Sequence, residues 1–334
     1  MSKLRVGIIG LGVGERHIAG YREHPGCEVV ALCDFNEDKR REVAARHPGV
    51  AMKANAEEVL DDPSVDVVSI ATYDHFHFEQ AARAIRNGKH VFVEKPMFLR
   101  EEEGRQLRTL LEEHPGTVLS SNLVLRMSPR FTSLKNMIDT GKLGELYYAE
   151  ADYNYGRLHK LTQGWRGQAT YYSVVHGGAV HMVDLLLWLT GDTIVEVQAY
   201  GNRICSKDSA FRFDDMVVAC LRFESGMVGK VTANFGCVMP HFHGLTVYGS
   251  RGTFVNDRDC ARLYQSREPA DPVQEIRTEY PGVHKGDLIR SFVNAILEGT
   301  RPAVTADDAF RAMSICVAIE RATRQAGAVE VNYL

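Results

Sequence analysis

The chain reads as an α/β protein, with a doubly wound parallel sheet first and a second domain of longer, antiparallel strands after it. Three observations carry this reading. Short apolar runs alternate with helical stretches from Val6 to Ser121, the pattern that builds a parallel sheet with crossover helices. A glycine-rich turn separates the first run from the first helix. Beyond about Arg126 the runs lengthen and are joined by short Gly-containing turns such as Glu224-Ser225-Gly226, a mark of hairpins.

Taken in order, Val6-Gly7-Ile8-Ile9 is a short buried strand, and Glu28-Val29-Val30-Ala31-Leu32-Cys33-Asp34 is a second one after a polar helix, giving a β-α-β unit. Val65 to Ala71 and His90 to Val93 supply further strands, separated by a helical pattern from Phe78 to Asn87 that stops at Gly88. Thr117 to Ser121 closes this region just before Asn122. In the second region Glu145–Tyr155, Ile194–Arg203, Met216–Glu224, Met227–Phe235 and Leu245–Tyr248 read as strands. Asp287–Glu298 and Ala306–Gln325 read as helices closed by Gly299 and Gly327. On Met216–Phe223 both alternating faces are apolar, with Val217, Ala219, Leu221 and Phe223 opposite Met216, Val218 and Cys220. A sheet wet on one side alternates more cleanly, so helices are expected on one face and another subunit over part of the other, with coverage by the chain itself as the alternative.

A length of 334 residues exceeds a single core, and 45% hydrophobic content fills two. A net charge of -4 argues against a general nucleic-acid binder. The seven cysteines show no C-x-x-C spacing, which points to neither a zinc site nor a disulfide framework and suits a reducing cytoplasm. No segment reaches bilayer-spanning length, so no membrane partner is expected.

Gly10-Leu11-Gly12-Val13-Gly14-Glu15 follows a strand and opens a helix, where backbone N–H groups can meet a pyrophosphate. Gly10 and Gly12 fit the dinucleotide pattern, but Gly14 falls one residue early and Glu15 stands where Gly or Ala is expected. Asp34 ends the second strand about 20 residues on, placed to accept from the adenosine ribose hydroxyls. A carboxylate there favours NAD over NADP, with Lys39 and Arg40 as cations that could reach back toward a 2′-phosphate. Thr72, His75 and His77 begin where the next strand ends, at the carboxyl edge where ligands bind in such folds. Each histidine is equally well read as a cap. Val13, Glu94, Lys95 and Asn122 complete the cofactor-binding candidates.

Hydride transfer from an alcohol needs a group that takes the hydroxyl proton. Lys95, set between Glu94 and Pro96 after a buried-looking strand, is one candidate; Glu94 should point to the opposite side. Gly177-Gly178-Ala179-Val180-His181-Met182-Val183-Asp184 opens a buried helix on which His181 and Asp184 share a face. Polar groups on so apolar a helix are paired internally or face a cavity. Arg157, His159, Lys160 and Arg166 form a basic cluster between Tyr155 and that helix, either a solvated loop or a site for an anionic substrate, with Asp184, Tyr153 or Tyr155 for sugar hydroxyls.

The order Gly10/Gly12, Asp34, Thr72 to His77, Glu94-Lys95-Pro96, Trp165-Arg166 and Gly177 to Leu189 resembles the Gfo/Idh/MocA family of glucose-fructose oxidoreductase and inositol dehydrogenase relatives. The resemblance spans essentially the whole chain. It implies a Rossmann domain, taken as residues 1–122, and a substrate-binding and oligomerisation domain, residues 123–334, on a large open antiparallel sheet. It also implies homodimers or homotetramers packed through that sheet, a cis peptide before Pro96, proton transfer by Lys95 and His181, and substrate contact by Asp184. Two positions depart from the family. Gly177 stands where an aspartate often precedes the histidine by four residues, so Tyr171, Tyr172, Ser173 or His176 substitutes, or Lys95 and His181 share the work alone. Tyr73 stands where proline is common. The implied activity is an NAD-dependent dehydrogenase of a sugar, sugar acid, polyol or nucleotide sugar. The alternatives are an NAD-dependent glycosidase and a non-catalytic regulator, the latter disfavoured by the presence of both Lys95 and His181.

Overall fold

The computed structural model describes residues 3–334 and divides into two compact units. The first holds residues 3–124 and 283–310 with Leu334; the second holds Leu125–Gly282 and Arg311–Tyr333. A single cut near Asn122 therefore does not partition the chain, because residues 283–310 return to the first unit.

In the first unit the elements run β1 (Leu4–Ile9), α1 (His17–Arg22), β2 (Cys27–Cys33), α2 (Glu37–Arg46), β3 (Ala51–Lys53), α3 (Glu57–Leu60), β4 (Val67–Ile70), α4 (His77–Arg86), β5 (His90–Val93), α5 (Glu101–Glu113) and β6 (Leu119–Ser121). The sheet order is β3-β2-β1-β4-β5-β6 and every pairing is parallel. The order reverses between β1 and β4, the switch point at which such sheets bind ligands. Val67–Ile70 are all buried, as strands covered on both faces must be. The Asn36 side chain accepts from Lys39 N–H at 2.9 Å and starts α2, with Glu37 and Asp38 favourably placed in its first turn. The return segment docks on α1 through a close backbone approach. A Cβ on Gly20 would lie 2.8 Å from the Gly286 carbonyl oxygen and 3.1 Å from Ile289 side-chain atoms. The same segment packs Phe292 on Phe92 at 5.5 Å and accepts a hydrogen bond from Ser120 Oγ at the Val304 carbonyl, 2.8 Å.

The second unit contains α6 (Pro129–Asp139), β7 (Leu146–Asn154), α7 (His159–Thr162), α8 (Trp165–Gln168), a π-helical turn at Val175–Ala179, α9 (Val180–Thr190), and then β8 (Ile194–Asn202), β9 (Met216–Phe223), β10 (Val228–Asn234), β11 (Phe242–Gly249), β12 (Thr253–Asn256), β13 (Ala261–Tyr264), β14 (Gln274–Ile276) and β15 (Val329–Glu330). They form one nine-stranded sheet, β14-β13-β12-β11-β7-β10-β9-β8-β15, antiparallel except for β10 on β7. On β9, Val217, Ala219, Leu221 and Phe223 are buried, whereas Cys220 and Arg222 are exposed and Met216 and Val218 half-buried. The chain thus covers one face of this strand and leaves the other partly open. The covered face carries α9, on which every residue from Val180 to Leu187 is buried, as expected of a helix apolar all round. Gly191, at φ 66°, ends it in the left-handed conformation. The π-helical turn approaches β7 so closely that a Cβ on Gly178 would lie 2.5 Å from the Tyr153 ring. Among the described residues no helix is long and apolar enough to cross a membrane.

Candidate active site

In the first unit the glycine turn leaves β1 at Gly10, whose φ of 87° suits glycine alone; a Cβ there would strike the Ala71 carbonyl. Around Gly12 a Cβ would meet nothing within 4 Å, so the turn is open there to another molecule. Gly14, one position early, still supplies close packing: its Cβ would lie 3.0 Å from Ile8 and 3.2 Å from Ala71. Val13 is exposed beside it. The Asp34 carboxylate ties this turn to the end of β2, accepting from Leu11 N–H at 2.8 Å and from Asn36 N–H at 2.9 Å. The two cations near it are engaged elsewhere. Lys39 pairs with Glu15 at 3.2 Å, and Arg40 Nη1 donates to the carbonyls of Asp34 (2.7 Å) and Phe35 (2.9 Å). Glu15, the residue that breaks the glycine pattern, also binds Arg46 at 2.7 Å.

Beyond β4, Thr72 Oγ1 donates to Gln80 at 2.8 Å and His75 is exposed against Phe76. His77 departs from the expectation of a ligand contact. It is 1% exposed, with Nδ1 2.6 Å from the Pro96 carbonyl and Nε2 3.1 Å from the Thr72 carbonyl. It ties two loops together from behind, because helix α4 begins at this residue and carries its ring inward.

The Lys95–Pro96 bond is cis, as the resemblance implies, and Lys95 is half-buried where β5 ends. Glu94 instead lies in a buried hub. Its Oε1 accepts from Asn122 Nδ2 at 2.8 Å and lies 3.4 Å from His17 Nε2 and 3.5 Å from Lys285 Nζ. Burial alone would raise the Glu94 carboxyl, but Lys285, His17 and Lys95 together hold it well below the usual carboxylate range. So placed, Glu94 organises the strand end and is not itself open to a nucleotide. Asn122 also donates to the Lys285 carbonyl at 3.0 Å, and its buried Oδ1 accepts no hydrogen bond from any described residue. An acceptor left in that state suits an amide donor such as the nicotinamide carboxamide. With the open Gly12 turn and Asp34, these residues fit a dinucleotide. Sequence reading missed Lys285 and His17, which reach the hub from outside any motif.

In the second unit several expected residues come together. Tyr153, on the buried face of β7, stacks on Tyr155 (5.8 Å) and on the His181 ring of α9 (6.1 Å). Burial pushes the Tyr153 phenol well above its ordinary range. Arg157 lies over Tyr155 at 5.2 Å, and Arg166 over Trp165 (4.7 Å) and Tyr172 (5.4 Å). His159 and Lys160 are exposed. Two further imidazoles, absent from the sequence expectations, join the group: His241 and His243 lie 5.1 and 5.3 Å from Tyr153. Their i, i+2 spacing at the start of β11, with His241 just before the strand and His243 on it, was the available signal. Asp184 departs from the expectation of open substrate contact. It is fully buried in an ion pair with Arg126, whose Nε donates to Oδ1 (3.1 Å) and Oδ2 (3.0 Å) and whose Nη2 donates to Oδ1 (2.6 Å). The helix is too enclosed there to leave a carboxylate without a counter-ion.

Residues 4–122 match the model of an oxidoreductase family with an NAD-binding Rossmann fold, and residues 131–255 match the Gfo/Idh/MocA C-terminal domain. The chain is 32% identical to an uncharacterized oxidoreductase of Synechocystis sp., over 88% of this chain and 85% of that one. It is 25% identical to the 1,5-anhydro-D-fructose reductase of Ensifer adhaerens, over 98% of each. Levoglucosan dehydrogenase in complex with NADH shares the fold across the whole of both chains, with a TM-score of 0.89 at 22% identity. Both units thus answer to successive domains of one enzyme family whose cofactor is NAD, and the chain belongs to the Gfo/Idh/MocA oxidoreductases.

Proposed function

We propose that the chain is an NAD-dependent dehydrogenase of a sugar, polyol or sugar acid, in which Lys95 and His181 handle the proton of the reacting hydroxyl. The observation that carries this is the end of β5. Lys95 emerges at the carboxyl edge of the parallel sheet, while its neighbour Glu94 is committed to the buried hub with Lys285 and Asn122. NAD accepts the hydride when the substrate C–H bond breaks. The hydroxyl proton must then pass to a base, for which Lys95 and His181 are the candidates. Aromatic faces at Tyr153 and Tyr155, interleaved with imidazoles, suit the mixed apolar and polar faces of a sugar ring.

Within this class the guanidinium groups of Arg157 and Arg166 favour a substrate with a carboxylate or phosphate. Seven unpaired thiols suit a reducing cytoplasm. A second copy of the chain, in a homodimer or homotetramer, would cover the partly open face of β9. The test is NADH formation from NAD with D-glucose, D-glucuronate and myo-inositol. Net NADH is expected, whereas a glycosidase would return the hydride and a regulator would form none. Lys95→Ala should lower the maximal rate by about 10²–10⁴-fold; an unchanged rate removes Lys95 from the chemistry.

A further inference from the structure

Strands β8 and β10 both run antiparallel to β9 and end opposite the same residue, with Asn202 and Asn234 each facing Met216. Their outgoing loops therefore leave the sheet at one end. Each carries a cysteine three residues on, Cys205 and Cys237. Asp215, just before β9, laces the two loops together. Its N–H donates to the Asn202 carbonyl at 2.9 Å, its carbonyl accepts from Phe235 N–H at 3.0 Å, and its buried carboxylate accepts from Ser206 N–H at 2.6 Å. The loops meet at Gly236. A Cβ there would lie 2.5 Å from Cys205 Sγ and 2.6 Å from Cys205 Cβ, so only glycine lets this thiol reach the backbone beside Cys237.

Cys237 is the next residue, about 3.8 Å further along the Cα trace. A disulfide accommodates Cα atoms up to about 7 Å apart. The two thiols differ in setting: Cys205 is exposed, whereas Cys237 is half-buried and its Sγ donates to the Asn234 carbonyl at 3.4 Å. Burial pushes the Cys237 thiol up, and Cys205 is near enough to add to the shift. Of the other five cysteines, four are buried and Cys220 stands exposed on β9.

We propose that Cys205 and Cys237 form an oxidative modification site, at which a peroxide converts the two thiols into a reversible disulfide tying the loop after β8 to the loop after β10. The inference does not rest on the dehydrogenase reading. The exposed Cys205 sulfur attacks one peroxide oxygen; the O–O bond breaks, one water leaves and a sulfenic acid remains. Cys237 then attacks that sulfur, the S–S bond forms, the S–O bond breaks and a second water leaves. Two thiols lose two protons and two electrons, and hydrogen peroxide becomes two waters. The bridge bears on the aromatic cluster, because Phe235 tilts against Tyr155 at 4.6 Å and a Cβ on Gly156 would collide with the Met239 carbonyl. The segment from Phe235 to Met239 thus lies against Tyr155 and Gly156, and a bond from its middle to Cys205 restrains it there.

The test treats the full chain with hydrogen peroxide, caps the remaining thiols with N-ethylmaleimide, and maps its peptides by mass spectrometry without reductant. The peptides carrying Cys205 and Cys237 should appear joined, about 2 Da below their summed mass, and dithiothreitol should separate them. Cys220, the exposed comparison, should form no such bridge within the chain. Cys205→Ser and Cys237→Ser should each abolish the joined species. Oxidation should also raise the midpoint of urea unfolding in the wild type and not in Cys205→Ser. The proposal is overturned if both thiols stay free, if Cys205 passes to a sulfinic or sulfonic acid beside a free Cys237, or if Cys205 links to a second chain instead. A joined pair with an unmoved midpoint overturns the restraint on the segment. Mapping of the wild type needs no variant, so it decides the bridge even where a substituted chain does not fold.

Discussion

Acidification should cost this protein stability at one identifiable residue, His176. It is 1% exposed at the turn before α9, and neither ring nitrogen has a hydrogen-bond partner among the described residues. Burial, reinforced by the like charge of Arg324, pushes its imidazole from 6.5 down to about 4. Between those values the unfolded chain binds a proton that the folded chain refuses. Stability therefore falls as pH drops through 6.5 and levels off below about 4. Each pH unit in the window is worth about 1.36 kcal/mol. Going from about pH 7.5 to about pH 5 should thus remove about 2 kcal/mol through this group. His176→Leu abolishes that contribution, while the other histidines of the 13 titrate in both proteins and cancel in the difference. Trp165 and Trp188 both lie in the second unit, so tryptophan fluorescence during urea unfolding follows the unit that holds His176. The variant should gain about 2 kcal/mol on wild type over that pH interval. A difference that stays constant with pH refutes a neutral, buried imidazole as the cause.

The buried Arg126–Asp184 pair predicts that Arg126→Met costs about 3–5 kcal/mol in the same unfolding assay. Adding Asp184→Leu should restore most of it, and a single-variant cost under about 1 kcal/mol would show that the pair is dispensable. Arg157→Ala should lower kcat/KM for D-glucuronate by about tenfold and leave D-glucose within about twofold. Equal losses for both sugars would count against an anion role for the guanidinium above Tyr155.

Most of the parallel sheet was legible because its strands lie in local apolar runs; β3 (Ala51–Lys53), three residues long and without a buried residue, was missed. β1, β2, β4, β5 and β6 fall within a few residues of the ends read from Val6–Ile9, Glu28–Asp34, Val65–Ala71, His90–Val93 and Thr117–Ser121. The short β12 to β15 lack a run long enough to show period-two alternation. The return of residues 283–310 to the first unit depends on the meeting of Gly20 with Gly286, far apart in sequence, and no local pattern announces it. At the site, residue types that carry chemistry could be named, but their partners could not. Asp184 looked available because Arg126, 58 positions earlier, is not on its helix. Gly177 looked like a missing function because the Tyr172 ring that fills its space comes from a different turn of the chain.

The return segment also bears on the chemistry of the first unit. Glu94 and Lys95 are adjacent, and a buried carboxylate beside a lysine would ordinarily draw that lysine into an ion pair. Lys285 alters the balance. Its ammonium lies 3.5 Å from Glu94 Oε1, and it opposes the burial of Glu94 more strongly than Lys95 does. The Lys285 carbonyl meanwhile receives Asn122 Nδ2, which also donates to Glu94. One residue from the distant segment thus meets the charge of Glu94 and fixes the amide beside it. The compensation that Glu94 requires comes first from Lys285, with His17 and Lys95 adding to it. A chain cut after β6 would keep the glycine turn, Asp34 and Lys95, yet lose the cation that makes a buried Glu94 tolerable next to that lysine.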